Sequence, residues 1–376
     1  MRTNSVDAVT RGAGLVHVRS CVAAAAVMVA LAAVACTTAY ADAGSGTFSI
    51  VAFDPETQEL GVAVQSRAFS VGAGVPWAEA GVGAIATQAN TNESFGPRGL
   101  ALLHAGYTAQ QTLDLLLSND TGRDRRQLGI VDARGGAATH TGEACLDWAG
   151  HITDAGLSAQ GNILAGADVV SEMVRVYRSS GGEMAERLLA ALHAAQAAGG
   201  DKRGRQSAAL LVVRPSDAYP EYRTRYVELR IEDHPSPIEE LERVFRIHQA
   251  SDLLRAHLRY AAHFDSLGNM EAALRERQRI RETLQGTVAR GDANASTLNA
   301  LAWSCATANL YLQEALEAAR RAVELEPEDS GILDTLAEVL FRLDRKTEAL
   351  DVIERALKID PGDAYLQRQR RRFRDG

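Results

Sequence analysis

The sequence has little cysteine and little proline, and it carries no excess of positive charge. Its 376 residues include only 4 Cys and 9 Pro, and the formal net charge is −8. So few cysteines exclude a disulfide-held scaffold at this length, and the composition leaves little room for a long disordered tail. The negative charge argues against nucleic-acid binding. Beyond the N-terminal region no run of ~20 apolar residues occurs, so we expect about two domains that do not cross a membrane.

Motifs for metal or nucleotide binding are also missing. The 9 His show neither His-x-His nor His-Glu-x-x-His spacing, and there is no Cys-x-x-Cys. The glycine-rich loop at residues 199–207 lacks the Lys-Ser or Lys-Thr ending of a phosphate-binding loop. We therefore expect no metal and no other cofactor.

The N-terminal region has the pattern of an export signal. Residues 1–19 contain three arginines, and an uncharged run from Cys21 to Ala35 follows them. A run of this length suits the core of a signal peptide better than a transmembrane helix. Ala39-Tyr40-Ala41 is a small-x-small site, which predicts cleavage after Ala41 and an exported protein, periplasmic or extracellular. A loose lipobox before Cys36 leaves a second form open, a lipoprotein anchored at Cys36.

Residues 47–235 alternate between strand and helix patterns. Hairpin patterns lie at both ends of this region and paired helices in the middle, which predicts an α+β fold with stacked antiparallel sheets covered by helices. β-branched and aromatic runs bounded by turn residues predict strands at 47–53, 59–64, 83–87, 127–131, 137–140, 156–163, 208–213 and 226–231. Apolar periodicity predicts helices at 97–105, 109–117, 167–177 and 183–198.

After residue 235 the apolar residues recur with the period of an α-helix along nearly the whole chain. Residues 296–329 and 330–363 repeat at a spacing of 34, which aligns Ala315 with Ala349. A weaker upstream copy needs an insertion near residues 286–295. The pattern resembles the tetratricopeptide repeat, in which helix pairs need small residues at fixed contacts, and it implies a protein or peptide partner. In this alignment Trp303 occupies a packing position and is predicted to lie in the core.

Segments of the first half resemble a known family. They are TFSIVAFDPETQELGVAVQSRAFSVGAGVPWAEAGVGAIATQANTN, SFGPRGL, GLSAQGNILAG and GGDKRGRQSAALLVV. Together they are similar to the domain-of-unknown-function family 1028, which is usually placed among the N-terminal-nucleophile (Ntn) hydrolases. The resemblance implies an αββα sandwich. The predicted organisation is a signal peptide at 1–41, a short propeptide at 42–46, the sandwich at 47–235 and the repeat domain at 236–376.

The resemblance gives Thr47 the role of nucleophile. A threonine hydroxyl needs a base within hydrogen-bond reach, and a free α-amine with a pKa near ~8 can serve if the threonine is the first residue. Cleavage after Ala41 leaves residues 42–46 still to be removed. Gly46-Thr47 resembles the Gly-Thr junction that proteasome β-subunits cut autocatalytically, which predicts self-cleavage after Gly46. The alternative is that Thr47 only begins a strand in an inactive fold.

The stretch Val64-Gln65-Ser66-Arg67-Ala68 is similar to the Ala-Asp-Ser-Arg-Ala stretch of proteasome β-subunits. Ser66 and Arg67 become catalytic candidates by this resemblance. Gln65 stands where the acidic residue belongs and becomes a candidate substrate contact, and no counterpart of the catalytic lysine is found. Arg67 is then the candidate for tuning the amine. A strand-end hydrogen-bond network of Gln65 and Arg67 is the open alternative.

Three more segments supply candidates through the same resemblance: the turn at 87–90, where an oxyanion hole is expected, the strand end at 158–162, and the loop at 199–207. The first two would assist the nucleophile, and the loop would hold its amine or bind an acidic substrate group. The catalytic candidates are Gln88, Asn162, Asp201 and Ser207, and the substrate-binding candidates are Thr87, Gln160, Arg203 and Arg205. Plain loops and a solvated turn explain the same residues.

Two functions therefore compete. The first is an exported Ntn-type hydrolase that cleaves an amide or ester of an unidentified small substrate, with repeats that recruit a protein partner. The second is a non-catalytic binding or scaffold protein of the cell envelope that keeps the fold without activity. The enzyme requires a free Thr47, whereas the binding protein tolerates an earlier N-terminus. Pairing of sandwiches through their helices also leaves a homo-oligomer open.

Overall fold

A computed structural model describes residues 46–215, 218 and 224–376. The predicted signal peptide, the cleavage site after Ala41 and the lipobox before Cys36 lie outside the described residues. The described residues form one compact unit.

Two antiparallel sheets form the N-terminal half. One has the strand order β10-β9-β2-β1-β8-β7 and the other has β3-β4-β5-β6. The strands are β1 Thr47–Phe53, β2 Leu60–Ser66, β3 Pro76–Glu79, β4 Gly83–Ala89, β5 Arg126–Asp132, β6 Ala137–Thr141, β7 Gly150–Asp154, β8 Leu157–Asn162, β9 Ser207–Val213 and β10 Arg225–Ile231. The sequence patterns missed β3 and β7. Both are sheet edges, and their short, partly exposed sequences lack the apolar run of a central strand.

Alternation of side chains along the strands builds the layers. Phe48 and Ile50 of β1 face one way, into a core shared with two helices, while Val62 and Val64 of β2 face the second sheet. The outer face of the second sheet, with Ile85, is covered by two other helices. The short helix α1 Val71–Gly74 packs against β2 and β9 on the face of the first sheet that looks toward the second. Helices α2 Phe95–His104 and α3 Ala109–Ser118 cover the second sheet, and α4 Asp168–Ser179 and α5 Met184–Ala197 cover the first. The predicted mixed α/β domain is confirmed, and its layering is αββα.

Helices make up the rest of the described chain. They are α6 Pro237–His248, a π-helical turn Gln249–Leu253, α7 Leu254–Ser266, α8 Met270–Arg290, α9 Ala295–Ala308, α10 Leu312–Leu325, α11 Ser330–Arg342, α12 Lys346–Ile359 and α13 Ala364–Asp375. The predicted all-helical region is confirmed. α8 has 21 residues whereas α10 and α12 have 14 each, so this longer helix absorbs the insertion expected near 286–295.

The sandwich core does not end at residue 235. Leu241 and Phe245 of α6 and Tyr260 of α7 belong to the same buried cluster as the strands of the six-stranded sheet. The first helices after the strands are therefore packed as part of the sandwich, and the separate repeat core begins after them.

A buried ionic cluster joins the sandwich to the helices. Arg214, which follows β9, lies 3.5 Å from Glu59 and 2.6 Å from Glu276 of α8. Its guanidinium also stacks 4.1 Å from the ring centroid of Tyr260. Fully buried His257 of α7 is 2.6 Å from the second oxygen of Glu276. These contacts link residues beside β2 and β9 with α7 and α8 through buried charged groups.

Trp303 is only partly buried and lies outside the repeat core, so its predicted core position is wrong. The buried residues of α9 include Leu298, Leu301, Ala302 and Cys305, which recur at the three- and four-residue spacing of one helix face. Trp303 follows Ala302 by one position, which is ~100° around the helix, and lies off that buried face.

This assignment predicts different costs for two substitutions in α9. We expect Leu301→Ala to lower the free energy of unfolding by ~2–5 kcal/mol because Leu301 is fully buried. Trp303→Ala should cost less than half as much, although it removes a larger side chain. Urea unfolding of both variants, compared at a shared m-value, measures the difference. If Trp303→Ala lowers the free energy of unfolding as much as Leu301→Ala or more, Trp303 belongs to the core after all.

Candidate functional site

The Gly46–Thr47 peptide lies at the start of β1, between the ends of two neighbouring strands. Thr47 pairs with Ser66 of β2 on one side and with Asn162 of β8 on the other. The side chains of Thr47, Ser66 and Asn162 point into the space between the two sheets, because each alternates with residues that face the helices. Thr47 is 2% exposed. Three predicted site residues therefore meet at one buried strand end.

One hydroxyl and one guanidinium bind the carbonyl of Gly46. Ser66 Oγ donates to the Gly46 oxygen at 2.5 Å, and Arg203 Nη2 donates to the same oxygen at 2.9 Å. Thr47 Oγ1 lies 3.0 Å from Ser66 Oγ. Because the Ser66 proton is given to Gly46, Thr47 is the donor to Ser66. The hydroxyl of Thr47 is thus connected to the carbonyl oxygen that precedes it through one serine.

Asp201 holds Arg203 in place. Its side chain is fully buried, and Arg203 binds it through the backbone N–H and Nε on one carboxylate oxygen, at 2.9 and 3.1 Å, and through Nη2 on the other, at 2.8 Å. The backbone N–H of Arg67 donates to that second oxygen at 3.0 Å. Four donors therefore fix this carboxylate beside Gly46, and a paired guanidinium is aimed at the Gly46 carbonyl.

A network of buried amides supports the other side of Thr47. Gln88 Nε2 donates to the Thr47 carbonyl at 3.3 Å and to Gln127 Oε1 at 2.8 Å. Asn162 Nδ2 donates to the same Gln127 oxygen at 3.0 Å. Gln160 and Gln88 also share Ser49, with contacts of 2.6 Å each. Gln88, Gln160 and Asn162 therefore position the strand end, whereas Ser66 and Arg203 bind the Gly46 carbonyl.

Sequence reasoning missed Gln127, which is fully buried at the centre of this network. Its Nε2 donates to the carbonyl of Gly161 at 2.8 Å and to Thr141 Oγ1 at 2.9 Å. The available signal was a glutamine at the start of the apolar strand β5. A polar residue in such a strand has to find partners across the sheets.

Two predicted binding residues face away from Thr47. Gln65 pairs with Phe48 and points toward the helical layer, because it neighbours Ser66 in a strand and takes the opposite face. Neither atom of its fully buried amide has a hydrogen bond among the described residues. Thr87 likewise neighbours Gln88 and faces outward, and its hydroxyl donates to the Asn92 carbonyl at 3.3 Å. The structure therefore places both side chains on faces that point away from the Thr47 hydroxyl.

Three other candidates are engaged elsewhere. Arg67 directs Nη1 to Gln206 at 2.5 Å, and Arg205 pairs with Glu239 at 3.1 Å. Ser207 accepts from the Val71 N–H at 3.0 Å and donates to the Ala68 carbonyl at 2.6 Å. Arg67 therefore contributes its backbone rather than its charge, and Ser207 secures the turn after β2. Arg203, predicted as a substrate contact, donates to the Gly46 carbonyl.

Within residues 46–215, 218 and 224–376, no group of three or more His, Cys, Asp or Glu is arranged to hold a metal ion. In the same part of the chain, every helix is too short or too polar to cross a membrane.

Comparisons with known proteins agree with this architecture. The family model described as "Family of unknown function (DUF1028)" matches residues 47–241, and a tetratricopeptide-repeat model matches 312–371. The crystal structure of the DUF1028 protein SPO2555 from Silicibacter pomeroyi is similar with a TM-score of 0.51 and 36% identity, covering 55% of this chain and 88% of that one. Among curated proteins none matches. Both predicted resemblances, to family 1028 and to the repeats, are confirmed.

The tetratricopeptide domain of Arabidopsis OM64 also aligns, at 14% identity and a TM-score of 0.22, over 33% of this chain and 97% of that domain.

Proposed function

Since the chain belongs to the DUF1028 family, a family of unknown function, we propose its activity from its own site: it is a hydrolase of amide or ester bonds, activated by cleavage between Gly46 and Thr47. The observation that carries the proposal is the Gly46 carbonyl held by Ser66 and Arg203 while Thr47 donates to Ser66. The tetratricopeptide repeats add a protein-interaction module.

The contacts support a self-cleavage route in which every proton has a carrier. Thr47 Oγ1 attacks the Gly46 carbonyl carbon, its proton passes to Ser66 Oγ, and the Ser66 proton moves to the Gly46 oxygen. The C–N bond then breaks as the proton of the tetrahedral intermediate goes to the Thr47 nitrogen, which leaves an ester between Gly46 and Thr47 Oγ1. Water hydrolyses this ester and releases the Gly46 carboxyl group. Arg203 stabilises the charge that develops on the carbonyl oxygen.

The processed chain would begin with a nucleophile and a base on one residue. The new α-amine of Thr47, with an unperturbed pKa near ~8, is partly neutral at physiological pH. It takes the hydroxyl proton as Thr47 attacks the substrate carbonyl and delivers that proton to the leaving group. Water then hydrolyses the acyl-enzyme. No acid-lysine pair is needed for this sequence of steps.

Location and partners belong to the same proposal. The charged leader, the apolar run and Ala39-Tyr40-Ala41 support export, with a lipoprotein at Cys36 as the alternative form. The repeats would then bring a protein or peptide partner to the hydrolase outside the cytoplasm.

The test is the N-terminus of the protein recovered from the exported fraction. We expect the intact mass and N-terminal sequencing of the wild type to show a chain that begins at Thr47. Thr47→Ala should retain the preceding residues because it lacks the attacking hydroxyl, whereas Thr47→Ser should be processed. A stable wild-type chain that begins at Asp42 or at an acylated Cys36 would contradict the proposal and favour the binding protein.

A further inference from the structure

We propose that the hydrolase accepts only acyl groups whose α-carbon carries no side chain, such as a glycyl group, because Asp201 closes the space beside that carbon. This inference rests on the proposed function and names the substrate class of the same site. It comes from the surroundings of Gly46, which is the first acyl group that Thr47 would carry.

The ester formed during self-cleavage is itself an acyl-enzyme. In it, the Gly46 carbonyl is bonded to Thr47 Oγ1, the same bond that a substrate carbonyl forms in the processed protein. The surroundings of Gly46 in the uncleaved chain therefore describe where a substrate's acyl group would sit. The Ser66 hydroxyl and the Arg203 guanidinium, which bind the Gly46 oxygen, would receive the substrate's oxyanion in the same place.

The space next to the α-carbon of Gly46 is occupied. A Cβ added to Gly46 would lie 2.7 Å from Asp201 Oδ1 and 2.8 Å from both Cγ and Oδ2. All three distances are well inside van der Waals contact. An L-residue at this position would therefore require the carboxylate to move.

The carboxylate is not free to move. Its four donors are the backbone N–H groups of Arg67 and Arg203 and two atoms of the Arg203 guanidinium. Displacing it would leave a buried charge poorly paired and would pull Arg203 from the carbonyl oxygen. The Asp201 carboxylate therefore stays in place, and a substrate with a side chain on the α-carbon would clash with it and bind less well.

The test compares two covalent probes on the processed full-length chain. Both are peptide epoxyketones, which react with the hydroxyl and the amine of an N-terminal threonine, and they differ by one methyl group. One carries Ala-Gly-Ser-Gly, the sequence of residues 43–46, and the other carries Ala-Gly-Ser-Ala. We expect the glycyl probe to react about 10–200-fold faster, the range for one extra carbon in a closed pocket. The rate of the mass shift of the intact chain measures it.

The proposal that Asp201 closes this space is wrong if the two probes react at equal rates or if the alanyl probe reacts faster. It is also wrong if neither probe reacts with a processed chain. A chain that never begins at Thr47 overturns the proposed function as well, and this is visible in the mass before any probe is added. Asp201→Ala should narrow the difference between the probes, whereas Asp233→Ala, which removes an exposed carboxylate bound to Gln206, should not. If Asp201→Ala folds poorly, the relative rates of the glycyl and alanyl probes on the wild-type chain still test the proposal.

Discussion

Ser66→Ala is expected to slow the cleavage between Gly46 and Thr47 by about 10²–10³-fold, the usual loss when one oxyanion donor is removed. The serine links the Thr47 hydroxyl to the Gly46 oxygen, so its loss removes both a proton carrier and a hydrogen-bond donor. The measurement is the fraction of chain beginning at Thr47, followed by intact mass over time after synthesis.

Ser207→Ala is the matched control for this prediction. Ser207 stands opposite Ser66 in the neighbouring strand β9, and its hydroxyl binds the backbone at Ala68 and Val71. Its removal should lower stability without slowing cleavage. If both variants are processed at the wild-type rate, the relay through Ser66 is wrong. If both are slow to the same degree, the strand ends rather than one hydroxyl control the reaction.

Arg214→Met is expected to lower the free energy of unfolding by ~3–5 kcal/mol, because it leaves Glu59 and Glu276 buried without their shared cation. Burial raises the pKa of Glu59 even with Arg214 present. Burial also opposes ionisation of Glu276, but the hydrogen bond from His257 and the charge of Arg214 outweigh it and lower that pKa. Thermal or urea unfolding at neutral pH measures the loss.

The loss should depend on pH in a defined direction. Without Arg214, burial raises the folded-state pKa of Glu59 further above its unfolded value of ~4.3. The folded variant then binds more protons than the unfolded chain, so its stability falls as pH rises from that value through the raised pKa. The difference in the free energy of unfolding between Arg214→Met and the wild type should therefore be smaller at pH ~4.5 than at pH ~7.5.

Arg243→Met provides the control, since Arg243 forms an ion pair with Glu240 on the exposed face of α6. It should leave the unfolding midpoint close to that of the wild type. If the difference in the free energy of unfolding between Arg214→Met and the wild type stays constant with pH, the destabilisation comes from lost packing on Tyr260 rather than from unpaired charge.

Much of the architecture follows from periodicity that is visible along the chain. The apolar alternation of the central strands and the helical period after residue 235 predict the α/β domain and the repeats, because each element must bury one face. The same alternation places Gln65 and Ser66 on opposite faces of β2. Thr47 shares the face of Ser66 because the two residues are paired across β1 and β2. This register is set by the contacts between the strands and cannot be seen in either strand alone.

Local patterns and matching segments of the sequence are enough to predict the kinds of elements, the family and the threonine that begins the first strand. The contact of Arg203 with the Gly46 carbonyl and the place of Gln127 among the amides behind Thr47 arise only in the folded chain. The same holds for Trp303, which lies off the buried face of α9. Such contacts join residues far apart in the chain, and their geometry depends on strand register and helix rotation, which a local pattern does not contain.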